Sequence, residues 1–111
     1  MYQEPGGGRA PVCRFYTDAF AGKPTHFYTA SAGECEHVKG LPAWILEGIA
    51  FHAPVPDASG SCAAGTAPVY RLYNDGRGGA PNHAYTPDAT RRDQLVRAGW
   101  IGEGPAWCVP F

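Results

Sequence analysis

Five pairs of polar or aromatic residues recur at a nearly constant spacing in this chain, and together they can hold charge, exchange hydrogen bonds and present ring faces. Arg14 and Arg71, Tyr16 and Tyr73, His26 and His83, and Tyr28 and Tyr85 are each 57 residues apart, and Glu47 and Glu103 follow at 56. Such a set can do two things. It can form an internal network, with each Arg paired to a Glu by bidentate hydrogen bonds and the Tyr and His groups satisfying nearby backbone. It can also line a pocket in which rings stack on a ligand while Arg, Glu and His bond its hydroxyls or carboxylate. The two uses are compatible, and these ten residues are the ligand-binding candidates.

Catalysis has less behind it. Ser31, Ser59 and Ser61 occupy no nucleophile-elbow pattern. Glu47 and Glu103 would serve as paired carboxylates only if the fold brought them together, which nothing in the sequence requires. His26, His37, His52 and His83 are not at helical metal-ligand spacing. No catalytic residue, metal or cofactor is therefore expected, and Trp44, Trp100 and Trp107 read as core before ligand platform.

The elements that position these residues come from the same self-similarity. Between residues 11–29 and 68–86, 10 of 19 positions are identical. Farther on, Trp44-Ile45-Leu46-Glu47-Gly48 matches Trp100-Ile101-Gly102-Glu103-Gly104. Chance does not produce this. The chain divides into a flexible N-terminal segment (1–10), unit one (11–54), a linker (55–67) and unit two (68–111), forming one compact domain overall.

In a strand, alternate side chains share a face, which places Val12, Arg14 and Tyr16 together, with Cys13 and Phe15 opposite. His26 and Tyr28 likewise share a face opposite Phe27. Each unit reads as strand, loop, short strand, helix, closing strand. Ser31 and Glu34 suggest a capping box for the first helix, with Cys35 and Val38 on its inner side. Thr86 as N-cap and Pro87 at the first helical position open the second, which ends at Gly99. Asp75 to Gly79 is a flexible loop signal. The expected class is α+β: two similar β-β-α-β units about a pseudo-twofold axis, stabilised by disulfides.

At these residues the sequence resembles a tandem repeat family of unknown function from secreted bacterial and fungal proteins. The resemblance rests on Tyr70-Arg71-Leu72-Tyr73-Asn74, His83-Ala84-Tyr85-Thr86 and Trp100-Ile101-Gly102-Glu103-Gly104, with weaker counterparts in unit one. It spans about Pro11 to Phe111 and implies an accessory module attached to secreted hydrolases or surface proteins, without implying an activity.

Four cysteines allow three pairings, and none forms a Cys-x-x-Cys spacing. Cys13 and Cys35 lie in unit one, and Cys62, just before unit two, goes with Cys108, so Cys13–Cys35 and Cys62–Cys108 are the expected disulfides, and a secreted or periplasmic location follows. Residues Met1 to Gly8 lack the regions of a signal peptide, as expected of a chain that has lost its leader. A formal charge of −1 gives no electrostatic case for nucleic acid, and the apolar runs are too short for a membrane span. The sequence thus points to a non-catalytic, lectin-like binding module for carbohydrate or cell-surface glycan. A protein-interaction or inhibitor module and a small hydrolase are the alternatives.

Overall fold

The computed structural model describes residues 9–19, 25–75 and 82–110. The expected flexible loop at Asp75–Gly79 lies outside these residues except for Asp75, as does most of the expected N-terminal segment. Arg9 and Ala10, from the end of that segment, already pair with Pro54 and Ala53 in a sheet.

Six strands and two helices follow one another in the order β1 (Arg9–Thr17), β2 (Thr25–Thr29), α1 (Ala32–Lys39), β3 (Ile45–Pro54), β4 (Thr66–Tyr73), β5 (His83–Thr86), α2 (Ala89–Arg97) and β6 (Ile101–Pro110). The strands form two three-stranded antiparallel sheets, ordered β2-β1-β3 and β5-β4-β6. This corrects the α+β expectation: the chain is mostly β. The helices have only 8 and 9 residues, whereas β3 and β6 have 10 each. Two turns of helix are too short to form a layer. The main core instead lies between sheets, where Val12, Phe51, Ala53, Val69 and Trp107 meet. A second cluster, Cys13, Phe15, Phe27, Cys35 and Val38, lies beneath α1 with Trp44 against it.

The helix starts are local competitions among short oxygen-bearing side chains. Ser31 caps α1, its hydroxyl accepting from the Glu34 amide at 3.2 Å. For α2 the cap is Asp88 rather than Thr86: Asp88 Oδ1 accepts from the Thr90 amide at 2.8 Å, and Pro87 precedes the helix. Thr86 instead accepts from the Asp88 amide, as Thr29 does from Ser31. Gly99, with φ 104°, takes the left-handed turn after α2.

The glutamates sit where the strands are irregular. Opposite β1 the register slips between Arg14 and Phe15, which pair with Gly48 and Leu46, so that Glu47 is the extra residue. Opposite β4 the pairing likewise jumps from Tyr70–Pro105 to Leu72–Gly102 around Glu103. Gly48 and Gly104 adopt φ 111° and 87° there. A bulge of this kind re-aims a side chain, and here it turns each carboxylate toward the arginine of the adjacent strand. Space is not the constraint, because nothing lies within 4 Å of a Cβ built on Gly48. Gly48→Ala should therefore cost about 1–2 kcal/mol through backbone conformation alone, read as a lower denaturation midpoint with an unchanged urea m-value.

The Cys13–Cys35 and Cys62–Cys108 bonds are both present, each within its own half of the chain. The segment before Cys62 is a tight turn in which Asp57 Oδ1 accepts from the Ser59 amide and hydroxyl and from the Ser61 amide. Those bonds hold the exposed Asp57 carboxyl below its ordinary range. No helix among the described residues is long and apolar enough to cross a membrane.

Candidate functional site

The sheet register assembles the sequence-predicted residues into two clusters. In the first sheet Arg14 lies directly opposite Tyr28, and Tyr16 opposite His26. In the second, Arg71 lies opposite Tyr85, and Tyr73 opposite His83. Each glutamate joins its own cluster. Glu47 Oε1 is 3.1 Å from both Arg14 Nε and His26 Nε2. Glu103 Oε1 is 2.8 Å from Arg71 Nε and 3.2 Å from His83 Nε2.

Beyond that shared plan the clusters differ, and the difference lies in what covers them. Arg71 is mostly buried because α1 reaches across to it. Its two terminal nitrogens grip the carboxylate of Glu34 at 2.7 and 3.0 Å. The Phe27 ring lies 4.9 Å from the same guanidinium and 4.7 Å from the His83 ring. Trp44 shares the small cavity of ≈ 160 Å³ that remains there with Phe27, Glu34, Arg71 and His83. Only 12% of the His83 side chain is exposed. Burial pushes the His83 ring toward its neutral form, against the raising effect of the Glu103 charge. Burial also works against the Glu34 anion, yet the hydrogen bonds from Arg71 and Thr29 together with the Arg71 charge hold its carboxyl below the ordinary range. Arg71 is correspondingly held in its charged form despite its own burial. The cluster in the second sheet is thus an internal network.

Tyr85 belongs to the same seal. Its hydroxyl accepts from the Tyr28 amide at 2.8 Å and donates to the Tyr28 carbonyl at 3.0 Å. Those backbone groups sit on β2, an edge strand, and would otherwise be unpaired beside the second sheet. The Tyr85 ring packs edge-on against Tyr28 and stacks on Trp107, which is 4% exposed. Burial raises the Tyr85 phenol well above its ordinary range.

The cluster in the first sheet is open. The Arg14 and His26 side chains are 43% and 45% exposed. Tyr16 and Tyr28 flank His26, with ring centroids at 5.2 and 6.3 Å. A groove of ≈ 310 Å³ continues from Arg14 and Tyr28 along Ala50 and Phe51 to Tyr85 and Trp107. That volume lies at the lower end of small-ligand clefts, about 300–1,000 Å³. The open face therefore presents a cation, a carboxylate, an imidazole and two phenols beside aromatic walls.

Sequence reasoning missed Glu34 and Phe27 as members of the second cluster. Glu34 carries a local capping signal, and only half of that box forms: Ser31 caps the helix while the Glu34 carboxylate goes to Arg71. The spacing did hold a clue, since position 34 corresponds at the 57-residue offset to Arg91, and Phe27 to Ala84. The shared residues build the same scaffold on each sheet, and these two unlike pairs decide which scaffold is covered. Among the described residues, no group of three or more His, Cys, Asp or Glu is placed to hold a metal ion.

No curated protein and no solved structure matches the chain. The profile of one domain family matches residues 1–110, so the chain belongs to the family described as a domain of unknown function, DUF5648.

Proposed function

We propose that this chain is a non-catalytic carbohydrate-binding module of an exported protein and that its ligand sits on the open face formed by Arg14, Tyr16, His26, Tyr28 and Glu47. One observation carries the reading. The same constellation occurs on both sheets, but one copy is covered by Glu34 and Phe27, while the other leaves Arg14 and His26 nearly half exposed. Ring faces beside a charged, hydrogen-bonding set suit the alternating apolar and hydroxyl surfaces of a sugar. The division into two units and a linker, with duplication leaving one site structural and the other free, belongs to this proposal. Two disulfides in a domain of this size support an oxidising compartment.

The test is retention on insoluble polysaccharides and peptidoglycan. Tyr16→Ala and His26→Ala should keep the parent fold and lose at least about tenfold in retention, the scale of one or two lost contacts of roughly 1 kcal/mol each. Full retention by both variants on every surface refutes the open face as the site.

A protein-docking reading has one specific observation behind it. Ile45 and Ile49 on β3 are 58% and 57% exposed, and Leu46 is 38% exposed, beside a groove of ≈ 530 Å³ along the Cys13–Cys35 bond. Binding to a protein ligand that Ile49→Lys abolishes and Tyr16→Ala leaves intact would favour that alternative.

A further inference from the structure

The sealed cluster shows what the open one lacks. In the second sheet the Arg71 guanidinium is fully used: Nε faces Glu103, and the terminal nitrogens form a fork around the Glu34 carboxylate. In the first sheet Arg14 Nε lies 3.1 Å from Glu47 Oε1, an ion pair without the hydrogen-bond alignment of its counterpart. Its terminal nitrogens have no protein partner among the described residues, and the side chain is 43% exposed. The residue in the place of Glu34 is Arg91, at the same distance from its helix start: Ser31 and Asp88 are the N-caps, three residues before each. Arg91 carries the wrong charge to act as Glu34 does, and its guanidinium donates to Gln94 Oε1 at 3.4 Å. Where Phe27 lies over Arg71 and His83, the corresponding residue is Ala84. Of two otherwise similar clusters, one thus lacks a carboxylate and a flat ring that the other has.

Resting on the carbohydrate reading above, we infer that the ligand supplies both missing pieces, so that the open face selects an acidic sugar residue, a carboxylate on a pyranose ring. The carboxylate takes the fork on Arg14 that Glu34 takes on Arg71, a geometry suited to a planar anion and not to a hydroxyl. The ring takes the place of Phe27 against His26. The nearby Glu47 does not prevent this. The sealed cluster already holds two carboxylates, Glu34 and Glu103, on one arginine.

The probes are polygalacturonate, alginate and hyaluronate, each compared with its own carboxyl-reduced form at about 0.15 M salt, where long-range charge attraction is screened beyond roughly 8 Å. The expected result is at least tenfold tighter binding to one of these polymers than to its reduced form. Arg14→Gln removes that preference. Arg91→Glu puts a carboxylate at the position that matches Glu34, so, filling the Arg14 fork from within, it should also abolish acidic-polymer binding while raising the melting midpoint. Equal binding of acidic and reduced polymers overturns the acidic-sugar inference and leaves the carbohydrate reading standing. Binding to no polysaccharide overturns both, as does preference for a peptide ending in an aromatic residue with a free carboxylate. Retention of the acidic preference in Arg14→Gln or in Arg91→Glu overturns the assignment of the carboxylate to Arg14.

Discussion

Arg71→Ala should melt about 10 °C or more below the parent, whereas Arg14→Ala should lower the midpoint by no more than about half as much. The two arginines occupy matching positions in their sheets and each contacts its own glutamate, so composition alone predicts equal effects. Burial separates them. The Arg71 side chain is 15% exposed and holds two carboxylates that are themselves only about a third exposed. Stranding charges in a buried pair costs about 3–5 kcal/mol, and the partial exposure here lowers that to roughly 2–3. An exposed pair such as Arg14–Glu47 contributes about 1 kcal/mol or less. In a domain near this size each kcal/mol moves the midpoint by roughly 4–8 °C.

The pH dependence tests the cause. In the parent, burial works against the Glu34 anion, but the bonds from Arg71 and Thr29 and the Arg71 charge hold its carboxyl below the ordinary 4.5. The unfolded chain therefore takes the proton first. Stability from Glu34 is present above about 4.5 and is lost as pH falls through the lower folded value. The buried His83 adds loss of the same sign, beginning as pH drops below 6.5, because its folded form resists protonation. Without Arg71, burial acts on Glu34 with the Thr29 bond left to oppose it, and the stability that Glu34 contributes above its titration shrinks. The gap in midpoint between parent and Arg71→Ala should then narrow from pH 7 to pH 4. Parallel curves would mean that Arg71 acts by packing, not by charge.

The second large effect belongs to the disulfides, and they should be unequal. Cys62–Cys108 closes a separation of 46 residues and Cys13–Cys35 one of 22. Chain-entropy arguments give about 4 kcal/mol for the first and about 3.4 for the second. Loop length carries this ordering, since burial does not: Cys108 is fully buried but Cys62 is partly exposed, while Cys13 and Cys35 are both buried. Cys62→Ala with Cys108→Ala should lower the midpoint by roughly 20 °C, close to the limit that a chain of this length withstands, given total stabilities of about 5–15 kcal/mol. The 13/35 pair should cost visibly less. Urea melts of the two double variants decide it, and a larger loss for the 13/35 pair contradicts the ordering. Unit two has a non-covalent counterpart at the positions matching Cys13 and Cys35: the Arg92 guanidinium lies 4.4 Å from the centre of the Tyr70 ring.

These expectations mark how far the sequence was legible. Strand faces followed from two-residue alternation, which is local and strict: it grouped Arg14 with Tyr16 and His26 with Tyr28, and the sheet register sets those two groups side by side. The Glu-Gly dipeptides put each glutamate near its arginine, although only the pairing register shows that they act through bulges. The fold class was misjudged because short helices with clear caps look as prominent in sequence as long ones. What decides class is which surfaces bury most, and here those are the sheet faces around Val12, Phe51 and Trp107. The asymmetry of the two clusters was not legible because it depends on one carboxylate crossing between halves of the chain. Glu34 satisfies a local helix-start pattern completely, and no periodicity reports that Arg71 outcompetes it. Similarity between the halves even pointed the wrong way, since it implied two equal pockets, whereas Phe27/Ala84 and Glu34/Arg91 make the halves unequal.

The most direct measurement is amide chemical-shift mapping of the 15N-labelled chain titrated with soluble oligogalacturonate. Shifts should concentrate at Arg14, Tyr16, His26, Tyr28 and Glu47 and spare Arg71, His83 and Glu103, because the second cluster is already filled by the chain's own Glu34 and Phe27. Shifts centred on the second cluster, or on Ile45, Leu46 and Ile49 along β3, would contradict the account.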